Sequence, residues 1–335
     1  MPVRPKYSND NNPNTLIKKY IIVVAILLSK AAWTQAPVNY VRSWEARIPI
    51  TDASTMNTRP VTEVMQTTAY IDGLGRPLQT VIKEGSFMNS AGSKTDMVTY
   101  FEYDELGREV KKYLPYAAAT GNGNIKTSPV SEQSSFYNSQ LTGQGENYFY
   151  SFTNMEASPL NRPTVSYAPG ASWYGSSRGV AINYLNNTTA DDVKIWTVNS
   201  PGSYSLATIN GNNFYGIAQL IKTVTTDEQG SQVVEYKDKD GKLILKKVQA
   251  DATPGNSYSG WLCTYYVYDD YNNLRLVIQP KGVKELTGNG WQLNNTIMDE
   301  LCFRYEYDTK NRMRIKKVPG AAEVSGLQIA SCRIL

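Results

Sequence analysis

Three carboxylates are the residues of this chain whose types suit acid–base chemistry. Asp191 and Asp192 are adjacent, and Glu235 lies in a later strand-like run. Two carboxylates on either side of a glycosidic bond hydrolyse sugars, one as the acid and the other as base or nucleophile. Nothing in the spacing brings these three together, so the sequence predicts no catalytic residues. A carboxylate-based hydrolase is the less favoured alternative to a protein without enzymatic activity.

The composition argues against most other reactive sites. The chain contains no histidine, which removes Ser-His-Asp and Cys-His nucleophiles and mixed His/Cys zinc sites in their usual form. Residues Asp238–Gly241 resemble the start of a calcium-binding loop, but the acidic residue that closes such a loop is missing at its position. The sequence therefore predicts neither a metal site nor a cofactor.

Two cysteines occupy equivalent positions before two similar turns. Cys263 precedes Asp269 by six residues, and Cys302 precedes Asp308 by six residues. They can form a disulfide if their strands are neighbours with suitable geometry, and otherwise they are small buried core residues. The sequence leaves the disulfide open and favours the buried thiols.

Aromatic side chains suggest a different kind of site. Trp173 and Tyr174 follow a Pro-Gly turn, and Trp196 and Tyr204 lie in a strand-like region. Such clusters more often pack in a core than bind a ligand, but Trp173 and Trp196 are candidate glycan contacts. A carbohydrate- or envelope-binding module is therefore the main alternative to a structural protein.

A repeated strand–turn–strand phrase must position all of these residues. Each copy keeps an aspartate and, three residues later, a glycine or an asparagine. The five pairs are Asp72 and Gly75, Asp104 and Gly107, Asp238 and Gly241, Asp269 and Asn272, and Asp308 and Asn311. Aspartate accepts hydrogen bonds from backbone N–H groups further along a turn, and Gly and Asn best tolerate a positive φ. The phrase predicts five β-hairpins with a left-handed residue in each loop.

The strands before these turns show a period of two. Tyr266 and Tyr268, for example, fall on one face of a strand, where they are predicted to pack rather than to bind sugars or bases. The chain has 24 Tyr against 7 Phe, a usage that suits strands better than helix bundles. We predict an all-β fold of antiparallel hairpin repeats with an irregular β insert at residues 147–228.

The charge distribution gives no reason to expect a nucleic-acid partner. The net charge is +4, but residues 1–34 account for it and leave the remainder near neutrality. The cluster of Lys242, Lys246 and Lys247 is predicted to be a solvated strand face rather than a phosphate site.

Residues 1–34 have the order of a secretory signal peptide. Lys18 and Lys19 precede an apolar run that ends at Leu28, and small residues follow before Gln35. The run is too short to span a bilayer comfortably, so no stable membrane span is predicted after leader removal. We predict an exported protein, secreted or in the outer cell envelope. Its mature N-terminus should lie at or near Gln35, which mass spectrometry of the native protein checks.

These patterns divide the chain into four regions. Residues 1–34 are the signal peptide, 35–228 an N-terminal β domain with the first two repeats and the insert, 229–320 the later repeats, and 321–335 an aberrant tail. Residues 117–146 are predicted to be a long loop, because Ala, Gly, Asn, Ser, Thr and Gln dominate there. A short helix is predicted over residues 296–301.

The Tyr-Asp-x-x-Gly-Arg phrase, as at Tyr103–Arg108, resembles the YD repeat of Rhs (rearrangement hotspot) proteins. With the segments Tyr70–Gln79 and Asp299–Asp308, residues 38–324 are similar to an uncharacterised N-terminal domain of exported bacterial Rhs-type proteins. The resemblance implies a β-sheet shell around a C-terminal cargo, often a toxin. It also implies that the partner is the remainder of such a protein or its cargo.

The chain departs from that plan near its C-terminus, where neither a repeat-associated core nor a toxin domain follows. The resemblance therefore leads us to expect a truncated or frameshifted N-terminal piece. Its last strand, at residues 313–318, is expected to be an exposed edge that Arg314, Lys316 and Lys317 guard.

Overall fold

The structure, a computed structural model, describes residues 38–86 and 92–321. Its contacts divide the chain into two compact units, Met1–Phe149 and Tyr150–Leu335. The predicted signal peptide, its cleavage site and nearly all of the predicted tail, including Cys332, lie outside the described residues. In the part that is described, no helix is long and apolar enough to cross a membrane.

The first unit is an antiparallel meander. Its strands are β1 (Asn39–Ala46), β2 (Val64–Ile71), β3 (Pro77–Ile82), β4 (Met97–Glu102), β5 (Lys111–Tyr113) and β6 (Tyr116–Ala117), and its helix is α1 (Pro129–Gln140). The ladder runs β1-β2-β3-β4-β5, and β6 also pairs with β4. The core of the unit is built from Tyr70, Val81, Val98, Tyr116 and Ala118. Alternate residues of the strands face this core, as the period of two requires.

Helix α1 corrects the prediction that residues 117–146 form a long loop. Pro129 lies at the start of the helix, where a backbone N–H has no intrahelical acceptor. Proline, which lacks this N–H, therefore costs no hydrogen bond there. Gln133 is buried, and its side-chain amide donates to the backbone carbonyls of Leu114 (2.6 Å) and Phe149 (3.1 Å). Gln133 therefore fixes the helix together with Phe136 and Tyr137, which pack against the core of the unit. A buried face that contains a polar residue gives a weaker signal in the sequence than a continuous apolar stripe.

A buried ion pair holds the connection between β6 and α1. Asp96 is 0% exposed and Lys126 is 7% exposed, and the Lys126 Nζ lies 2.7 Å from the Asp96 Oδ2. The same carboxylate accepts the backbone N–H of Glu84 (3.0 Å) and of Gly123 (2.8 Å). Asp96 thus joins three separate segments of the first unit, and each of its bonds is shielded from water.

The second unit contains the remaining strands and two helices. They are β7 (Tyr150–Met155), β8 (Pro163–Tyr167), β9 (Val180–Asn186), β10 (Trp196–Ser200), β11 (Ser203–Leu206), β12 (Ile221–Thr226), β13 (Gln232–Lys237), β14 (Leu243–Gln249), β15 (Trp261–Tyr268), β16 (Leu274–Ile278), β17 (Cys302–Tyr307), β18 (Met313–Lys317), α2 (Pro280–Gly288) and α3 (Asn295–Leu301). The ladder runs β7-β8-β9-β12-β13-β14-β15-β16-β17-β18, while β10 and β11 pair only with each other. The prediction of an all-β fold with antiparallel strands is confirmed.

The insert is more regular than predicted. Strands β7, β8 and β9 belong to the ladder, because β9 pairs with β12 from Ala181 to Asn186. Only residues 187–220, which include the β10–β11 hairpin, leave it. The predicted boundary between residues 228 and 229 falls inside the turn that joins β12 to β13, and the contacts of the chain divide it after Phe149.

The core of the second unit lies on one face of its sheet. Fully buried residues at its centre include Leu245, Tyr265, Leu276 and Ile278, and Leu286 of α2 packs against them. The predicted helix at residues 296–301 is α3, which begins after Asn294, whose side chain accepts the N–H of Ile297 (2.9 Å). Residues from 187–220 and from both helices therefore cover this face.

The outermost described strand of the second ladder is β18, which pairs with β17 alone. Met313, Arg314 and Lys316 are exposed. Within the described residues, this strand is the edge that the sequence led us to expect.

Candidate functional site

The five predicted turns share one hydrogen-bonding pattern. Each aspartate N–H donates to the carbonyl four residues later, and the residue three positions later donates back, at 2.9–3.1 Å. The aspartate Oδ1 also accepts two further backbone N–H groups, as Asp72 does from Leu74 (2.8 Å) and Arg76 (2.9 Å). Positive φ values occur at the predicted positions: Gly75 (79°), Gly107 (76°), Gly241 (81°), Asn272 (64°) and Asn311 (57°). The structure therefore has the left-handed residues that the phrase predicts.

The residue after the left-handed position closes the turn through its side chain. Arg76, Arg108 and Arg312 each donate from Nε to the Oδ2 of their turn aspartate, at 2.8 Å in all three cases. Lys242 and Asn273 take this role for Asp238 and Asp269. This geometry explains the Gly-Arg of the repeat, because arginine reaches back to the carboxylate while its backbone closes the loop.

A sixth turn of the same type was missed in the sequence. Asp227 accepts the N–H of Gln229 (2.9 Å) and of Ser231 (2.8 Å), and Gly230 has a φ of 90°. The D-x-x-G spacing is present, but the strand before it carries threonines instead of aromatic residues. That spacing alone identifies it.

Side chains connect neighbouring turns within each unit. In the second unit, the Lys242 Nζ donates to the Asn272 Oδ1 (2.6 Å), and the Asn273 amide donates to the Asn311 Oδ1 (3.1 Å). In the first unit, the Arg76 guanidinium lies over the Tyr103 ring, 4.4 Å from its centroid. The turns are therefore aligned side by side, and these side-chain contacts connect each turn to the next.

Hydrogen bonding to the carboxylates also affects their titration. The backbone N–H of Arg76 is the largest cause that lowers the pKa of Asp72, and Arg108 and Arg312 do the same for Asp104 and Asp308. A lowered pKa keeps these side chains ionised in weakly acidic solution. It makes them poor general acids, and this agrees with a role in closing turns.

The left-handed position gives a direct test at Gly241. Its added Cβ would meet nothing within 4 Å, so backbone conformation alone decides the effect of a substitution there. We expect Gly241→Val to lose about 1–2 kcal/mol more stability than Gly241→Asn, because a β-branched residue resists positive φ and asparagine tolerates it. Thermal unfolding of both variants measures this difference. Equal melting temperatures would contradict the assignment. Gly107 is a less suitable site, since an added Cβ there would lie 2.8 Å from the Arg76 guanidinium.

The two cysteines do not form the disulfide that the sequence left open. Both are buried and free. Cys263 lies on β15 opposite Lys247, whereas Cys302 lies on β17 opposite Ile278 of β16. Because β16 separates their strands, the two thiols are about two strand spacings apart, which exceeds the reach of a disulfide. Burial raises the pKa of Cys263 to about 11 and that of Cys302 to about 12, so both behave as core residues.

The aromatic residues considered for glycan binding belong to separate clusters. Trp173 is half-buried beneath the Arg178 guanidinium, 4.7 Å from its ring centroid. Trp196 packs on the core beside Tyr265 and Trp291, and its indole N–H has no hydrogen-bond partner among the described residues. The structure does not bring Trp173 and Trp196 into one shared platform. Glycan contact at either residue stays a prediction.

A buried polar network lies between the sheet of the second unit and residues 187–220. Asp191 is 2% exposed, and its Oδ1 accepts the Lys222 ammonium (2.7 Å) and the Tyr236 hydroxyl (2.8 Å). Its Oδ2 accepts the backbone N–H of Thr188 (2.7 Å). Burial raises the pKa of Asp191, but these hydrogen bonds outweigh burial and hold the pKa below its ordinary value.

Lys247 corrects the prediction that the lysine cluster is a solvated strand face. It is 1% exposed, and its Nζ donates to the backbone carbonyls of Asn256 (2.9 Å) and Ser257 (2.6 Å), with a longer bond to that of Asp191. Burial lowers the pKa of Lys247 to about 8. Lys246 points to the other face of the sheet, opposite Glu235. Alternation along one strand thus separates two adjacent lysines into different environments.

The carboxylates considered for hydrolysis are also separated. Asp191 bonds to Tyr236, whereas Glu235 is the preceding residue of the same strand and therefore points to the opposite face. Asp192 pairs with Lys194 (2.6 Å). The structure does not form the two-carboxylate site that the sequence allowed. In the described ranges, no group of three or more His, Cys, Asp or Glu side chains has the geometry to hold a metal ion, and Asp238 closes its own turn.

Several solved structures are similar to this chain. The crystal structure of TcdB2-TccC3-Cdc42 is 16% identical to this chain over the matched region. That region covers 76% of this chain and 10% of the chain in the solved structure, and the TM-score is 0.44. The crystal structure of TcdB2-TccC3-TEV has 13% identity, coverage of 88% and 13%, and a TM-score of 0.45. The Photorhabdus luminescens Tc holotoxin pore has 14% identity, coverage of 76% and 11%, and a TM-score of 0.40. This chain therefore spans about a tenth of the length of these structures.

The sequence comparisons are more restricted. No curated protein matches the chain. Part of the region that resembles the uncharacterised Rhs-type domain, from β1 to the end of β9, matches a known family. Residues 42–186 match the family described as Domain of unknown function (DUF6443).

Proposed function

We propose that this chain is a non-catalytic structural segment of an exported YD-repeat protein of Rhs type. The observation that carries the proposal is the repeated turn, in which one aspartate closes each hairpin and side chains connect it to the next. Because each hairpin closes its own turn, an extended sheet can be built by adding hairpins side by side, and each hairpin then covers its neighbour. The partner is the remainder of such a protein or its cargo, and export follows from the predicted signal peptide.

The polar groups of the chain support a role without catalysis. The turn aspartates are bonded to backbone N–H groups and to the side chains that close each loop. Asp191 is saturated by Lys222, Tyr236 and Thr188, and both described cysteines are buried with raised pKa values. Groups that are occupied in this way stabilise the fold and are not available as acids, bases or nucleophiles.

Strand β18 provides the experiment. An edge strand presents unpaired backbone groups on its outer side, so a scaffold segment should pair there with another strand. Adjacent residues of a strand direct their N–H groups to opposite sides, so one of Arg314→Pro and Ile315→Pro removes an outward N–H and leaves the β17 pairing intact. We expect the full chain to self-associate in analytical ultracentrifugation, and the proline variant that keeps the parental melting temperature to be monomeric.

The control is Lys281→Ala, which changes an exposed residue of α2, away from the edge. It should associate as the unmodified chain does. A parental chain that is a high-melting monomer, unaffected by proline at either position, would contradict the proposed scaffold role. Turnover of a glycan substrate that Glu235→Gln abolishes would instead favour the hydrolase.

A further inference from the structure

A cavity of about 340 Å³ opens beside the buried network of the second unit. Three adjacent strands supply its floor, with Lys222 from β12, Tyr236 from β13 and Lys247 from β14. The loop after β14 supplies a wall that includes Pro254, and Trp261 at the start of β15 also lines the cavity. This volume lies at the lower end of the range for small-molecule sites.

The cavity is positively charged. Two of its lining residues, Lys222 and Lys247, are cationic, and none of the residues that line it is acidic. Their ammonium groups lie 5.6 and 5.2 Å from the centroid of the Tyr236 ring, so both belong to one cluster. Asp191 compensates one charge from behind, through its bond to Lys222. The two ammonium groups together therefore keep one uncompensated positive charge beside the cavity, and this charge favours an anionic ligand.

The two lysines differ in how many hydrogen-bond donors of their ammonium groups remain unused. Lys247 directs its ammonium to three backbone carbonyls and supplies only its charge. Lys222 makes one hydrogen bond, to Asp191, and an ammonium has three donors. The side-chain amides of Gln232 and Asn256 also line the cavity and make no hydrogen bond within the described part of the chain. The cavity thus holds spare cationic and amide donors beside an aromatic side chain.

We propose that this cavity binds an acidic sugar, with the carboxylate on Lys222 and the hydroxyls on Gln232 and Asn256. Charged donors suit the carboxylate, amides can both donate to and accept from hydroxyls, and Trp261 offers an apolar surface to the ring. A bare phosphate fits less well, because no helix begins among the lining residues to supply convergent N–H groups. This site goes beyond the proposed scaffold role and does not depend on it.

Titration calorimetry of the full chain with D-glucuronate tests the site, with D-glucose and inorganic phosphate as comparison ligands. We expect glucuronate to bind measurably, and glucose and phosphate to bind at least about tenfold more weakly. Lys222→Gln should weaken glucuronate binding by about tenfold or more, as expected for the loss of one charge-assisted hydrogen bond. Lys246→Gln is the matched control, because it removes a neighbouring lysine on the opposite face of the sheet.

Asn256→Asp keeps the test independent of folding. Its side chain is exposed, so the substitution should leave the melting temperature unchanged, and a carboxylate at the cavity should abolish glucuronate binding by repulsion. Glucuronate binding that is absent, that equals glucose or phosphate binding, or that survives both Lys222→Gln and Asn256→Asp would overturn the proposal.

Discussion

Replacing Asp96 with alanine should destabilise the first unit by about 3–5 kcal/mol, the effect of removing one partner of a buried ion pair. The Lys126 ammonium would be left 7% exposed without its carboxylate, and the N–H groups of Glu84 and Gly123 would lose their acceptor. Native-state hydrogen exchange of the amides in β3 and β4 measures the loss within this unit.

Glu63→Ala is the matched control, because the Arg59–Glu63 pair has the same distance of 2.7 Å but each side chain is about a third exposed. An exposed pair contributes about 1 kcal/mol or less, so this variant should be nearly neutral. Adding Lys126→Met to Asp96→Ala should recover only part of the loss, since the two backbone N–H groups still lack an acceptor. Equal effects of Asp96→Ala and Glu63→Ala would show that burial does not govern this pair.

The second large effect is expected at Asp191. Asp191→Asn should lower the stability of the second unit by about 2–3 kcal/mol, because Lys222 and the Tyr236 hydroxyl would lose an anionic acceptor. Lys222 is partly exposed and can be hydrated in the variant, so the loss should be smaller than at Asp96. Hydrogen exchange of the amides in β12 and β13 measures it.

Asp192→Asn provides a matched control with the same chemical change in the neighbouring residue. Asp192 is left-handed, at a φ of 49°, and asparagine tolerates that conformation. Lys194 is buried, but asparagine keeps a side-chain acceptor for its ammonium and the Asp192 side chain is about a third exposed, so we expect a loss of about 1 kcal/mol, smaller than at Asp191. A larger effect at Asp192 than at Asp191 would contradict the role of Asp191 as the centre of the network.

The hairpins could be predicted because local chemistry specifies them. Asp104 and Gly107 are three residues apart, and the bonds that close their turn lie within five residues. The same spacing marks Asp227, although the strand before it carries threonines instead of aromatic residues. Turn chemistry was therefore the more reliable signal than the composition of the strand before it.

The polar interior could not be predicted, because it depends on contacts distant in sequence. Lys247 reads as a surface residue until residues 187–220 cover its face, and Asp191 reaches Tyr236 across 45 positions of the chain. Gln133 helps to fix α1 through its side-chain amide, beside the packing of Phe136 and Tyr137. In each case, a polar residue that period and composition would place in solvent is buried with partners from elsewhere in the fold.

The strand order of the second unit has a consequence for how the chain folds. From β12 to β18, every strand pairs with its neighbour in sequence. Apart from β16 and β17, which α2 and α3 separate, each pair is joined by a short connection and can form as soon as its residues are available. Local pairing of this kind lowers contact order and favours rapid folding, with single hairpins forming in about 1–10 μs. The pairing of β9 with β12 has to wait until residues 187–220 have closed a long loop. The rate-limiting step in the folding of the second unit should therefore be the docking of residues 187–220 onto the sheet. The repeated hairpins should already be formed when it occurs.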